Sequence, residues 1–97
     1  MVARLRKVEI PCRVFTGMFP GEVQVEILPP GQEPIYLFTS DRSTSTGGSI
    51  TPTGVTGTLF ARMVGESDDE VIVDLPGEAR PIGPRAWISR HFVRTAD

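Results

Sequence analysis

The chain has 97 residues and a net charge of −2, the size of one domain and past the length below which disulfides or metals usually have to supplement a core. A hydrophobic fraction of 39% with 7% aromatics is enough for one small core. The acidic balance, with a pI near 5.3, speaks against a generic polyanion binder, since such domains carry a marked basic excess.

One cysteine cannot make an internal disulfide, and this usage fits a reducing compartment. No run approaches the roughly 18 apolar residues of a membrane span. The opening MVARLRKVEI has no apolar stretch behind its charges, so no signal peptide is expected. The expectation is a cytoplasmic, soluble chain with no membrane contact.

Taken in chain order, the first strand is predicted from about Leu5 to Phe15. Val8, Ile10, Cys12 and Val14 share one parity, and side chains of a strand alternate between its faces, so these four point inward. Cys12 is therefore a core thiol, with Arg13 on the opposite face. Pro11 cannot donate to a ladder, which puts the strand at an edge there or bulges it. Gly17-Met18-Phe19-Pro20-Gly21 then reverses the chain into a second strand, Glu22 to Leu28, where Val23, Val25 and Ile27 alternate with acids and Gln24. Pro29-Pro30-Gly31 ends it. Ile35-Tyr36-Leu37-Phe38 is apolar on both parities, the pattern of a strand covered on both faces or crossing between barrel halves.

From Asp41 to Thr53 the composition turns to Ser, Thr and Gly, with little to bury and much to solvate, and the segment is predicted to be a flexible loop. A fourth strand is expected from Thr56 to Val64, a polar turn from Gly65 to Asp69, and a fifth strand from Glu70 to Leu75. The stretches Pro76-Gly77 and Pro81-Ile82-Gly83-Pro84 are loop. The tail Arg85 to Val93 is predicted as a short strand, a tight turn and a last half-strand. The inward parity of the hairpin strands gives a predicted core that includes Val25, Ile27, Leu59, Val71, Val73 and Ile88.

The expected fold is all-β: a single domain over 1–97, a small closed or half-open barrel of about five to six antiparallel strands with a C-terminal 3₁₀ turn. Closing the sheet removes edges that would otherwise pair with other chains. The hairpin GTLFARMVGESDDEVIVDLP and the ending RAWISRHFV resemble, in layout, the SH3-like small barrels, where a strand, one 3₁₀ turn and a brief final strand close the fold. The resemblance covers the second half of the chain. It implies a binding or accessory role, since such barrels serve as peptide binders, nucleic-acid binders and accessory subunits.

No residue set carries catalysis, and no enzyme activity, cofactor or metal is expected. Glu66, Asp68, Asp69 and Glu70 lack the ligand spacing of a calcium loop and read as a solvated acidic turn. His91 is the one histidine, without a partner at metal spacing. Ser43, Ser45 and Ser49 have no base nearby, and Thr44 to Ser49 lacks the lysine and following helix of a P-loop.

Two features stand out. The tip Met18, Phe19 and Pro20 is apolar where turns are usually polar, so it either meets a protein partner or folds back to plug the barrel mouth. The tail gathers Arg80, Arg85, Arg90, His91 and Arg94 around Trp87, with no acid between Glu78 and Asp97. Arginine beside an aromatic binds nucleic acid or an acidic peptide; otherwise Trp87 is core and the arginines pair with acids across strands. The leading expectation is a non-catalytic protein-interaction module or small accessory subunit whose partner is another protein. Its alternative is a nucleic-acid-binding barrel.

Overall fold

The computed structural model describes residues 6–80 and 85–95, without the side chains of 78–80. Leu5 and the loop 81–84 lie outside the described residues. The strands are β1 (Arg6–Thr16), β2 (Glu22–Ile27), β3 (Ile35–Ser40), β4 (Thr44–Thr46), β5 (Val55–Glu66), β6 (Glu70–Asp74), β7 (Glu78–Arg80), β8 (Arg85–Ser89) and β9 (Arg94–Thr95). Two 3₁₀ turns, Asp41–Ser43 and Arg90–Phe92, complete the order. One sheet contains them all, running β7-β3-β2-β1-β5-β6-β8, with β4 beside β5 and β9 beside β1. Every pairing of these strands is antiparallel, and the sheet curls into a half-barrel. The six longer strands, the C-terminal 3₁₀ turn and the brief strand after it are those expected from the sequence, the last beginning at Arg94, just past the predicted tail; β4 and β7 are short additions.

Curvature comes from strands that change partner along their length. β1 pairs with β5 from Arg6 to Val14, while its other edge meets β9 at Val8 and Glu9 and β2 from Arg13 to Thr16. Pro11 falls in the interval between those two partners, where a missing N–H costs no ladder bond. β5 divides its second edge in the same way, between β4 and β6. A register shift between Met63 and Gly65 puts one extra residue, Val64, into β5, a bulge that bends the strand where it leaves β1.

The core follows the period of two. Val8, Ile10 and Val14 of β1, Val25 and Ile27 of β2, Leu59 of β5, Val73 of β6 and Ile88 of β8 are fully buried. All six predicted core residues are among the buried set. Cys12 is buried with them, and burial pushes its thiol up to about 12 from 9.0 because the thiolate would lose its hydration.

Two expectations change. β3 is covered on one face only: Ile35, Leu37 and Thr39 are buried, while Tyr36 and Phe38 are about 40% exposed. Its apolar outer parity is a surface, not a second packing face. The segment 41–53 is not a plain loop either. Ser40 Oγ accepts from Arg42 N at 3.2 Å to start the 3₁₀ turn, and Thr44 Oγ1 donates to the Asp41 carbonyl at 3.0 Å. β4 then pairs Thr44, Ser45 and Thr46 with Leu59, Thr58 and Gly57. Thr51 accepts from Thr16 N at 3.2 Å, extending the far end of β1.

Candidate functional site

The hairpin between β1 and β2 is built by a Pro-Gly turn. Glu22 N donates to the Phe19 carbonyl at 3.0 Å, and Gly21 has φ +81. This is the type II arrangement, with Pro at the second position and a residue of positive φ at the third. Three further bonds hold it: Gly17 N to the Glu22 carbonyl at 3.1 Å, Met18 N to Glu22 Oε1 at 3.0 Å, and Asp41 N to the Gly21 carbonyl at 2.9 Å. The last of these ties the tip to the end of β3. The backbone is thus fixed while the side chains are free. Met18 is 78% and Phe19 66% exposed, and Pro20 is exposed beside them. Phe19 does not plug the barrel.

Sequence reasoning missed a second apolar surface nearby. The outward parity of β1, β2 and β3 lines up Phe15, Gln24 and Phe38 in one row across the strands, and Arg13, Glu26 and Tyr36 in the next. Arg13 lies over the Phe15 ring at 5.8 Å from its centroid. Phe38 faces Gln24, two residues from the base of the hairpin turn. The signal was present in the apolar outer parity of Tyr36 and Phe38, but it reads equally as burial.

The tail residues do not converge as a free cationic patch. Arg85 and Trp87 do share the outward face of β8, as their spacing predicts, and Trp87 is about half exposed and outside the core. Arg85 Nε, however, donates to Asp74 Oδ1 at 2.6 Å across the β6–β8 pair. Gln32 Nε2 reaches over from the β2–β3 connection to donate to the Trp87 carbonyl at 2.8 Å. A shallow cleft of about 320 Å³ lies there, with Glu33 as well as Arg85 on its wall. Charges of both signs surround the indole.

Arg90 has a structural task. Its NH1 donates to Glu66 Oε2 at 3.0 Å, its Nε to the Asp68 carbonyl at 3.3 Å and its NH2 to the Ser67 carbonyl, while its own N–H bonds the Asp69 carbonyl at 2.9 Å. The guanidinium fork staples the β5–β6 turn to the 3₁₀ turn that follows β8. His91 is exposed in that 3₁₀ turn, and Arg94 on β9 stands opposite Glu9 of β1, away from the β6–β8 pair. Arg80 lies on β7, at the other end of the strand order from β8. Among the described residues, no three of His, Cys, Asp and Glu gather closely enough to hold a metal ion. No helix among them is long and apolar enough to cross a membrane.

Compared with known proteins, the chain matches no family model, and no curated protein or solved structure matches it significantly.

Proposed function

We propose that this chain is a non-catalytic protein-interaction module or small accessory subunit that docks through its hairpin tip, Met18, Phe19 and Pro20. The observation that supports this most is the combination of two exposed apolar side chains and a turn held by four hydrogen bonds. Exposed apolar groups are a cost in water unless a partner covers them. A fixed backbone reduces the entropy lost when they are ordered at an interface. The partner is another protein with an apolar pocket that takes the Phe19 ring, and the Tyr36–Phe38 face extends the contact area. The barrel-like sheet that ends in a strand, a 3₁₀ turn and a brief strand supports placing the chain among SH3-like small barrels, whose layouts commonly serve binding.

Nucleic-acid binding around Trp87 is the second reading, favoured by the half-exposed indole beside Arg85. It is weakened by the pairing of Arg85 with Asp74 and of Arg90 with Glu66. Salt separates the two readings. Duplex binding falls with a log-log slope of about 0.9 per neutralised phosphate, whereas an apolar tip contact responds little to salt. Tagged protein should recover its partner at low and high salt, and Phe19→Ala should abolish recovery while Arg85→Ala leaves it intact. Recovery of nucleic acid that is lost at high salt, and that persists in Phe19→Ala, would overturn the proposal.

A further inference from the structure

A cleft of about 600 Å³ lies on the other side of β1 from the hairpin pairing, between the start of that strand, β5, and the 3₁₀ turn Asp41–Ser43. Its volume is in the range of small-molecule sites. Three cations line it, Lys7, Arg42 and Arg62, together with the Ser43 hydroxyl and the Phe60 ring. They come from distant parts of the sequence and meet through the pairing. Lys7 and Arg62 are direct cross-strand partners in β1 and β5, and β4, which follows Arg42 and Ser43, pairs with β5 at Leu59.

Like charges placed directly opposite on neighbouring strands destabilise a sheet, so the Lys7–Arg62 pair is an arrangement that stability alone does not select. Relief is incomplete. Lys7 Nζ leans over the Phe60 ring, 4.7 Å from its centroid, which answers one charge by cation–π attraction. Asp74 is the one acid on the cleft wall and faces Arg62 across the β5–β6 pair. Its carboxylate is already engaged by Arg85 at 2.6 Å. Among the described residues, neither Arg42, Arg62 nor Lys7 has a carboxylate within ion-pair distance. In a chain of net charge −2, the cleft concentrates positive charge against the average.

We infer that the cleft lined by Lys7, Arg42, Ser43 and Arg62 binds a phosphate-bearing small molecule. Guanidinium groups present forked donors that match phosphate oxygens two at a time, lysine adds a point charge, and the serine hydroxyl adds a neutral donor. A phosphate with two or more charges sits between Arg42 and Arg62 and cancels the cross-strand repulsion at Lys7. The Phe60 ring, with Lys7 Nζ over it, also lines the cleft and supplies an apolar wall for an organic portion. This inference stands independently of the hairpin tip.

Inorganic pyrophosphate and adenosine diphosphate are titrated calorimetrically into the full chain, with adenosine as the uncharged control. Both anions should bind saturably, and adenosine should not. Arg42→Ala and Arg62→Ala should each weaken binding about tenfold or more, the worth of one charge-assisted hydrogen bond. Asp74→Asn should tighten it by removing the like charge from the wall. Both arginines are exposed, so circular dichroism should report an unchanged fold in these variants. In the wild type, the amide signals of Ser43 and Arg62 should shift on titration. Absence of saturable binding by either anion, equal binding by adenosine, or unchanged affinity in the Arg42→Ala/Arg62→Ala double variant would overturn the inference.

Discussion

Replacing Arg90 by Ala removes the staple between the β5–β6 turn and the 3₁₀ turn after β8. Three side-chain hydrogen bonds disappear, to Glu66 Oε2 and to the carbonyls of Ser67 and Asp68. A hydrogen bond to a charged group is worth about 1.5–3 kcal/mol when shielded, but this guanidinium is 42% exposed, and an exposed ion pair contributes only about 0.2–1 kcal/mol. The freed carbonyls also recover water. The sum is about 1–2 kcal/mol, which for a domain of this size lowers Tm by about 5–15 °C. Arg85→Ala loses a single exposed pair with Asp74, typically about 0.5 kcal/mol or less for such a pair, and should move Tm by only about 2–4 °C. Arg90→Lys restores the charge opposite Glu66 but not the fork, so it should recover less than half of the loss. Calorimetric melts of the three variants decide the matter. Equal Tm values for Arg90→Ala and Arg85→Ala, or full recovery by Arg90→Lys, would refute the stapling role.

Other expectations follow from the core and the added strand. Val73→Ala, at a fully buried position, should cost roughly 1–3 kcal/mol in urea unfolding from lost burial and the cavity left behind. Deletion of Thr44–Ser49 removes β4 from the edge of β5, so it should lower the urea midpoint measurably, where excision of an unpaired loop would change closure entropy by only about 0.6 kcal/mol per doubling of length. The Cys12 thiol titrates at about 12 in the folded chain against 9.0 for an exposed thiol. Its contribution is complete below pH 9 and is lost as pH rises toward 12, because the unfolded chain releases the proton first. By pH 10.5, wild type should have lost about 2 kcal/mol relative to Cys12→Ala, and a thiol reagent at pH 7.5 should label Cys12 only after unfolding.

Much of the fold was legible because one residue property, apolar parity, carries both strand type and face. β1, β2 and β6 alternate cleanly, and their inward residues form the core. Where both parities are apolar, as at Ile35 to Phe38, the sequence pattern does not tell a two-sided strand from one that offers Tyr36 and Phe38 to solvent. β4 left no trace because Thr-Ser-Thr has no apolar alternation; its pairing depends on Gly57 of β5, where a Cβ would lie 2.8 Å from the Ser45 carbonyl oxygen. At the tip, composition marked Met18 and Phe19, but the choice between plug and projection depends on the Pro20-Gly21 turn and its bond to Asp41. In the tail, spacing put Arg85 beside Trp87 correctly, yet the acids that occupy Arg85 and Arg90 come from β5 and β6. The basic cleft was invisible for a related reason, since Lys7, Arg42 and Arg62 are joined by pairing across the sheet and not by proximity in the chain.

A photo-crosslinking phenylalanine analogue placed at Phe19, and in parallel at Trp87, tests the interaction surface most directly. The substitution at Phe19 keeps an aromatic ring on an exposed turn and leaves the core untouched. Irradiation in the native cell should give a discrete protein adduct from position 19 and none from position 87. No adduct from position 19, or a nuclease-sensitive adduct from position 87, would contradict a hairpin tip that docks on a protein.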